Sequence, residues 1–197
     1  MTGMASPDGI YPGNIYLFRH GETEWSLSGQ HTGTTDLPLL PEGEAQAREV
    51  APRLAGREFA LVLCSPMQRA RRTAELAGFG DRVETDDDLR ERDYGEYEGR
   101  TTKEIRVERP GWDVWRDDLP EGETLEQLAA RADRVIERAL AAGGDTLVFA
   151  HSHFLRQLGA RWIGLAPDGG GKLVLGTATV STLGFERERR VLRSWNA

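Results

Sequence analysis

Four short stretches hold the residue types that could do chemistry. In the first, an apolar run (Ile15, Tyr16, Leu17, Phe18) stops at Arg19-His20-Gly21-Glu22-Thr23. It reads as a buried strand that delivers Arg19 and His20 at its carboxyl end, with Gly21 letting the backbone turn close to whatever His20 faces. Residues 59–64 and 146–150 are further apolar runs; one leads into Ser65 with Arg69 a helical turn beyond, and the other stops at His151. In a parallel sheet the carboxyl ends of such strands share one edge, which is where open α/β sheets bind ligands. Two arginines, two histidines and a helix N-terminus would converge there on a pocket for a compact dianion such as a phosphoryl group. A guanidinium grips two oxygens at once and keeps its charge at any working pH. The fourth stretch, LRERDYGEYEG at 89–99, supplies a carboxylate: Glu91 could reach over the pocket mouth to protonate a leaving oxygen. Arg19-His20-Gly21 taken by itself is equally a strand ending in two solvated basic residues, so this reading rests on the distant partners.

Strands that share an edge need helices between them, and the pattern supplies them. A helical pattern covers 41–55, with Pro41 in its first turn and Pro52 expected to kink or shorten it. Ser65-Pro66 reads as an N-cap and first helical position for a helix over 67–77. A short strand at 83–85 precedes an irregular acidic loop over 86–100, and 101–109 reads as a short helix. Residues 110–122, with Trp112 and Trp115, read as a loop or broken helix covering the site, and 92–123 together as a lid-like insertion. The clearest helix is 124–142, where Leu125, Leu128, Ala129, Ala132, Val135, Ile136, Ala139 and Leu140 fall on one face behind a Thr124/Gln127 capping box. Another helix is expected at 154–163, and 177–185 with 191–195 suggest an edge hairpin. Strands alternating with helices predict an α/β fold.

Composition excludes several classes. At 197 residues, 39% hydrophobic and 29% charged, the chain is enough for one compact domain over 1–197, with a loose tail expected at 1–12. A net charge of −7 argues against nucleic-acid and anionic-membrane partners, which want a basic footprint. No charged leader with an apolar run opens the chain and no apolar stretch reaches the roughly 18 residues of a membrane span, so a cytoplasmic location is expected. The lone Cys64 follows Leu61-Val62-Leu63 and reads as a buried, inert thiol. No Cys/His cluster has metal-ligand spacing, so no metal and no cofactor are expected.

With these motifs in place the chain resembles the histidine phosphatases and their phosphoglycerate mutase relatives. The resemblance rests on RHGETEW at 19–25, SGQHTGTTDLPL at 28–39, SPMQRARRTAE at 65–75, LRERDYGEYEG at 89–99 and FAHSHFLR at 149–156, five pieces in family order over nearly the whole chain. Within the family it is most similar to the branch of sedoheptulose bisphosphatase and broad-specificity acid phosphatase. The resemblance implies a three-layer α/β/α sandwich with a mostly parallel central sheet. It implies that His20 is a nucleophile passing through phosphohistidine, that Arg19, Arg69 and His151 clamp the phosphoryl oxygens, and that Glu91 serves the leaving alcohol as proton donor. Ser26 and Thr32 fall where the family places secondary phosphate contacts; Gly33, Ser152 and Tyr94 are further candidates for the phosphate and substrate.

Some positions depart from the family. Ser152 stands where glycine usually follows the second histidine, although its N–H could still donate. Mutases carry asparagine where this chain has Ser26, and a longer insertion with adjacent arginines where this chain has the short acidic VWRDDLPEGET. Net hydrolysis of a small phosphorylated metabolite, releasing inorganic phosphate, is therefore expected ahead of a 2,3-bisphosphoglycerate-dependent mutase. A non-catalytic phosphate-binding module is disfavoured by the presence of both His20 and Glu91, and a homodimer is compatible with the sequence. Of the remaining residues, His31 is expected to be a solvated loop histidine, Glu96 and Glu98 to be solvated, and Arg71 and Arg72 to be surface or ion-pair residues. His153 is open between helix-start polar residue and substrate contact, and core packing is expected for at least one of Trp112 and Trp115.

Overall fold

A computed structural model describes residues 13–197; the tail expected at 1–12 lies outside the described residues. Its scaffold is a six-stranded sheet of β1 (Ile15–Arg19), β2 (Leu61–Cys64), β3 (Glu84–Thr85), β4 (Thr146–Ala150), β5 (Val180–Glu186) and β6 (Arg189–Ser194), in the order β3-β2-β4-β1-β5-β6. Strands β1, β2, β3 and β4 run parallel, whereas β5 pairs antiparallel with both β1 and β6. The three apolar runs expected to share an edge are thus neighbours in space. Arg19 is paired opposite Ala150, so His20 and His151 leave the sheet side by side.

Near-continuous apolar sequence in β1, β2 and β4 follows from burial on both faces. Leu17, Leu63 and Val148 point to one side. There they pack against α5 (Leu125–Ala141) and α6 (Ser152–Trp162) through Leu128, Val135, Phe154 and Leu158. Tyr16, Phe18, Cys64 and Phe149 point to the other side. They meet Leu54 of α2 (Pro41–Leu54) together with Ala70 and Ala74 of α3 (Gln68–Leu76). Alternating side chains thus feed two helical layers across one sheet, which is the expected three-layer α/β/α arrangement.

Several local expectations need correction. The loop after β1 contains a short helix, α1 (Glu24–Ser28), because Thr23 and Ser26 form a reciprocal capping box. Helix α3 begins at Gln68 behind Met67, so Ser65 is not its N-cap; the Ser65 hydroxyl accepts from Met67 N and meets His151 instead. Helix α6 starts directly after His151, two residues earlier than expected, which brings Ser152 and His153 into its first turn. Helix α5 carries the expected Thr124/Gln127 capping box, α4 (Thr102–Glu108) has one as well between Thr101 and Glu104, and no helix forms over 110–122. Trp112 and Trp115 are both buried.

Residues 92–123 fold around a small core of their own, made of Tyr94, Tyr97, Ile105, Trp112 and Leu119. The base of this excursion is closed by Glu123 N donating to Asp93 O at 2.9 Å. Arg92, buried at 1% exposure, tightens it further through bonds to the carbonyls of Glu123 and Val114.

Gly21 serves packing rather than an unusual turn, since it is not among the glycines with positive φ. A Cβ there would lie 2.2 Å from Gly43 O, and one on Gly43 would lie 2.2 Å from Glu22 O. The first turn of α2 therefore rests directly on the backbone beside His20. We expect Gly43→Ala to lower stability by ~1–3 kcal/mol, the usual cost of overpacking; urea unfolding with an unchanged midpoint would show that this contact yields freely.

Candidate active site

His20 is set by its backbone first. Its N–H donates to Ala150 O at 3.1 Å and its carbonyl accepts from Ala178 N at 3.2 Å, while Gly21 N donates to Thr73 Oγ1 at 3.1 Å. Its Nδ1 lies 2.7 Å from Gly21 O. A carbonyl only accepts, so Nδ1 carries the proton and Nε2 keeps its lone pair. Burial, then the charges of Arg69 and Arg19, hold this imidazole well below its ordinary pKa and so neutral.

The rings of His20 and His151 meet edge to face, 5.1 Å between centroids at 60°. Arg69 Nε donates to His151 Nδ1 at 3.1 Å, which places the His151 proton on Nε2, where Ser65 Oγ accepts it at 2.7 Å. Both His151 nitrogens are thus engaged by protein groups, and a phosphoryl oxygen reaches one only by displacing such a bond. Arg69, fully buried, also donates to the carbonyls of Thr35 (2.9 Å), Thr32 and Gly33 (both 3.3 Å), so it fastens the 32–35 loop as well as charging the pocket. Arg19 NH1 donates to Leu175 O at 2.5 Å, while its buried Nε has no partner. At the start of α6, no described protein group accepts the Ser152 N–H. Neither Arg69 nor Arg19 forms an ion pair among the described residues.

Glu91 is anchored at that same helix start. Its Oε1 accepts from Phe154 N at 2.8 Å and Arg92 N at 3.0 Å, and its Oε2 accepts from His153 N at 2.9 Å. A carboxylate offers about four acceptor sites, so one on Oε2 remains for a proton. Glu91 is also the opposite charge felt most strongly by both Arg19 and Arg69. Beside it opens a cleft of about 570 Å³ between Gly33-Thr34 and the α5 residues Gln127, Arg131 and Arg134.

The secondary candidates divide. The Ser26 hydroxyl is spent on Thr23 in the α1 capping box, Thr32 Oγ1 donates to Gln30 O, and Gly33 N donates to Glu98. The hydroxyls of Ser26 and Thr32 and the Gly33 N–H are thus engaged by protein groups in this arrangement. Gly33 is needed for packing, because a Cβ there would lie 2.4 Å from Arg92 O. Glu98, expected in solvent, holds the Gly33 and Thr35 amides at 2.9 Å. Tyr94 is buried with its hydroxyl 2.6 Å from His153 Nδ1. Burial, then Glu91, raises its pKa, so it donates and leaves His153 with an Nε2–H that no described group accepts.

His31 is buried rather than solvated, packed on Tyr94 at 4.7 Å and Trp112 at 5.7 Å between centroids. Arg72 forms the expected ion pairs, with Glu44 and Glu75. Sequence reasoning assigned no role to Arg156, although it lies in the HSHFLR motif one helical turn beyond Ser152. Its guanidinium lies 4.8 Å over the Trp115 ring and donates through Nε to Gly170 O, without an ion pair among the described residues. Trp115 stacks in turn on His153 at 5.1 Å. Thr73 likewise carries no local signal, because it acts only through Gly21 N, a partner far off in sequence.

The family model described as "Histidine phosphatase superfamily (branch 1)" matches residues 15–197. An acid phosphatase of Mycobacterium tuberculosis is 40% identical over 93% of this chain and 92% of its own length. Sedoheptulose 1,7-bisphosphatase of Saccharomyces cerevisiae is 40% identical over 76% of this chain and 67% of its own. A solved structure of an open-reading-frame product from Mycobacterium tuberculosis superposes with a TM-score of 0.89 at 38% identity, covering 93% of this chain and 97% of that one.

All four histidines of the chain, His20, His31, His151 and His153, are held below their ordinary pKa, chiefly by burial. For His31 the value falls from 6.5 to about 4. Between those values the unfolded chain binds the proton and the folded one does not, so stability is complete above pH 6.5 and declines as pH falls toward 4. Urea unfolding at pH 7 and at pH 4.5 should show a smaller acid-induced loss in His31→Phe than in the wild type; equal losses would remove His31 from this linkage.

Proposed function

This chain belongs to the histidine phosphatase superfamily, and from that premise and the site geometry we propose that it hydrolyses small phosphorylated metabolites, sugar phosphates among them, through a phosphohistidine at His20. The observation that carries this reading is the Nδ1–H bond of His20 to Gly21 O, which leaves a neutral Nε2 lone pair inside a buried pocket with two unpaired guanidiniums.

In the first half-reaction, His20 Nε2 attacks phosphorus as the bond to the leaving oxygen breaks, and Glu91 delivers its proton to that oxygen. Arg19, through its unpartnered Nε, and the Ser152 amide face the charge that spreads over the equatorial oxygens, with the charge of Arg69 behind them. In the second half-reaction, Glu91 takes a proton from water as the water oxygen attacks phosphorus, the N–P bond breaks and inorganic phosphate leaves. Fixed guanidinium charge supplies the electrostatic stabilisation that a metal ion gives other phosphatases.

The leaving-group side favours a polar, acidic alcohol. Arg156 has donors to spare, and His153 presents its Nε2–H from a mount of Tyr94 and Trp115. A sugar bisphosphate or phosphorylated sugar acid offers hydroxyls and a second anion to these groups.

A hydrolysis screen over sugar mono- and bisphosphates tests the substrate class, and incubation with 3-phosphoglycerate separates free phosphate from a 2-phosphoglycerate product. The expected results are phosphate release, an acid-labile radiolabelled phosphoryl adduct on quenching, and loss of both in His20→Ala. Arg69→Ala should cut kcat/KM by ~10²–10³, the scale for losing a charge-stabilising donor. No adduct during turnover would sink the covalent mechanism, and near-normal turnover in Arg69→Ala would remove Arg69 from it.

A further inference from the structure

Glu91 sits in an irregular stretch, between a single 3₁₀ turn at 87–89 and the excursion that begins at Arg92, so no regular element fixes its backbone. One side chain does much of that work from outside. Arg131, in the second turn of α5, donates through NH1 to Asp88 O and Arg90 O (2.5 and 2.9 Å) and through NH2 to Glu91 O (3.5 Å). The same guanidinium pairs bidentately with Glu123, at 2.7 Å from both Nε and NH2, and lies 5.1 Å over the Phe154 ring. Phe154 N is itself a donor to Glu91 Oε1. The pair is mostly shielded, with 15% and 13% of the two side chains exposed, so it is not a solvent-screened surface bridge.

Resting on the role proposed above for Glu91, we propose that Arg131 is a positioning residue for the general acid. It ties three carbonyls of the acid's loop, those of Asp88, Arg90 and Glu91, together with the closing residue of the 92–123 excursion and the start of α6, to one planar, always charged group. Arg131 lines the cleft beside Glu91, but its Nε, NH1 and NH2 are all taken up by Glu123, Asp88, Arg90 and Glu91, so its role runs through the acid and not through a contact with the phosphoryl group or leaving alcohol. It acts by holding Glu91 Oε2 in register with the leaving oxygen, and misplacement on the ångström scale costs a proton transfer dearly.

A purely structural role and a positioning role separate by leaving group. An alkoxide needs its proton in the transition state, whereas p-nitrophenolate leaves without one, so a displaced acid slows alkyl phosphates selectively. The experiment compares kcat/KM for glycerol 1-phosphate and p-nitrophenyl phosphate in wild type, Glu91→Gln, Arg131→Met and Arg131→Lys, with thermal melts of each. Expected is a loss in Glu91→Gln of ~10² or more on the alkyl ester against under ~10-fold on the aryl ester. Arg131→Met should reproduce that bias at ~10-fold or more. Arg131→Lys, which keeps the charge but not the planar fork, should fall between wild type and Arg131→Met and carries the reading if Arg131→Met does not fold.

If Glu91→Gln is selective while the Arg131 variants lose activity equally on both esters, or lose none, the inference is overturned and the acid assignment stands. If Glu91→Gln itself shows no bias, the acid assignment fails and takes the inference with it.

Discussion

The constraint on which the site depends is two guanidiniums taken out of water without a counter-ion. Arg69 is fully buried and Arg19 half-buried with its Nε shielded, yet neither reaches a carboxylate within ion-pair distance among the described residues. Burial pulls both below their ordinary pKa, the sign of charge held at a cost. The fold offsets part of that cost with carbonyl oxygens, from Leu175 for Arg19 and from Thr32, Gly33 and Thr35 for Arg69. What remains is a standing demand for an anion at the carboxyl edge of β1 and β4. A dianionic phosphoryl group meets that demand, and a neutral ligand does not.

Burial, with the field of these cations behind it, explains the two histidines at the sheet edge. An imidazole buried beside two such cations is kept neutral without any specific base, and the Gly21 carbonyl needs only to choose the tautomer. His151 is fixed the same way from the other side, by an arginine that cannot accept and a serine that can. The neutral state and tautomer of His20 are thus set by burial, by the surrounding charge and by one backbone bond, more than by a dedicated partner side chain.

What could be read from the chain and what could not divides along physical lines. Apolar runs that stop at charged or imidazole residues are a local signal, so β1, β2, β4 and the convergence of Arg19, His20, Arg69 and His151 were legible. Long periodic helices with capping boxes, such as α5, were legible for the same reason. Misreadings arose where a side chain's partner is distant. Ser65-Pro66 has the local form of a helix cap, but the hydroxyl finds His151, 86 positions away, a better partner. Glu98 and His31 look like solvent residues in a polar loop, and only the closure of 92–123 onto the 31–35 loop buries one and recruits the other. Thr32 and Gly33 match the family's phosphate motif, yet the close approach of the Arg92 backbone and the Glu98 carboxylate gives them structural partners here.

Glu91 hangs from the first amides of α6, and that helix begins where β4 ends, so Glu91, His151, Ser152 and His153 share one support. His20 hangs from another, at the end of β1. The gap between the two is bridged by a parallel ladder of five residue pairs, from Ile15 opposite Thr146 to Arg19 opposite Ala150. The spacing of His20 from His151 is therefore written in main-chain bonds between the two central strands, and a side-chain substitution in a surface loop leaves that spacing without a direct lever.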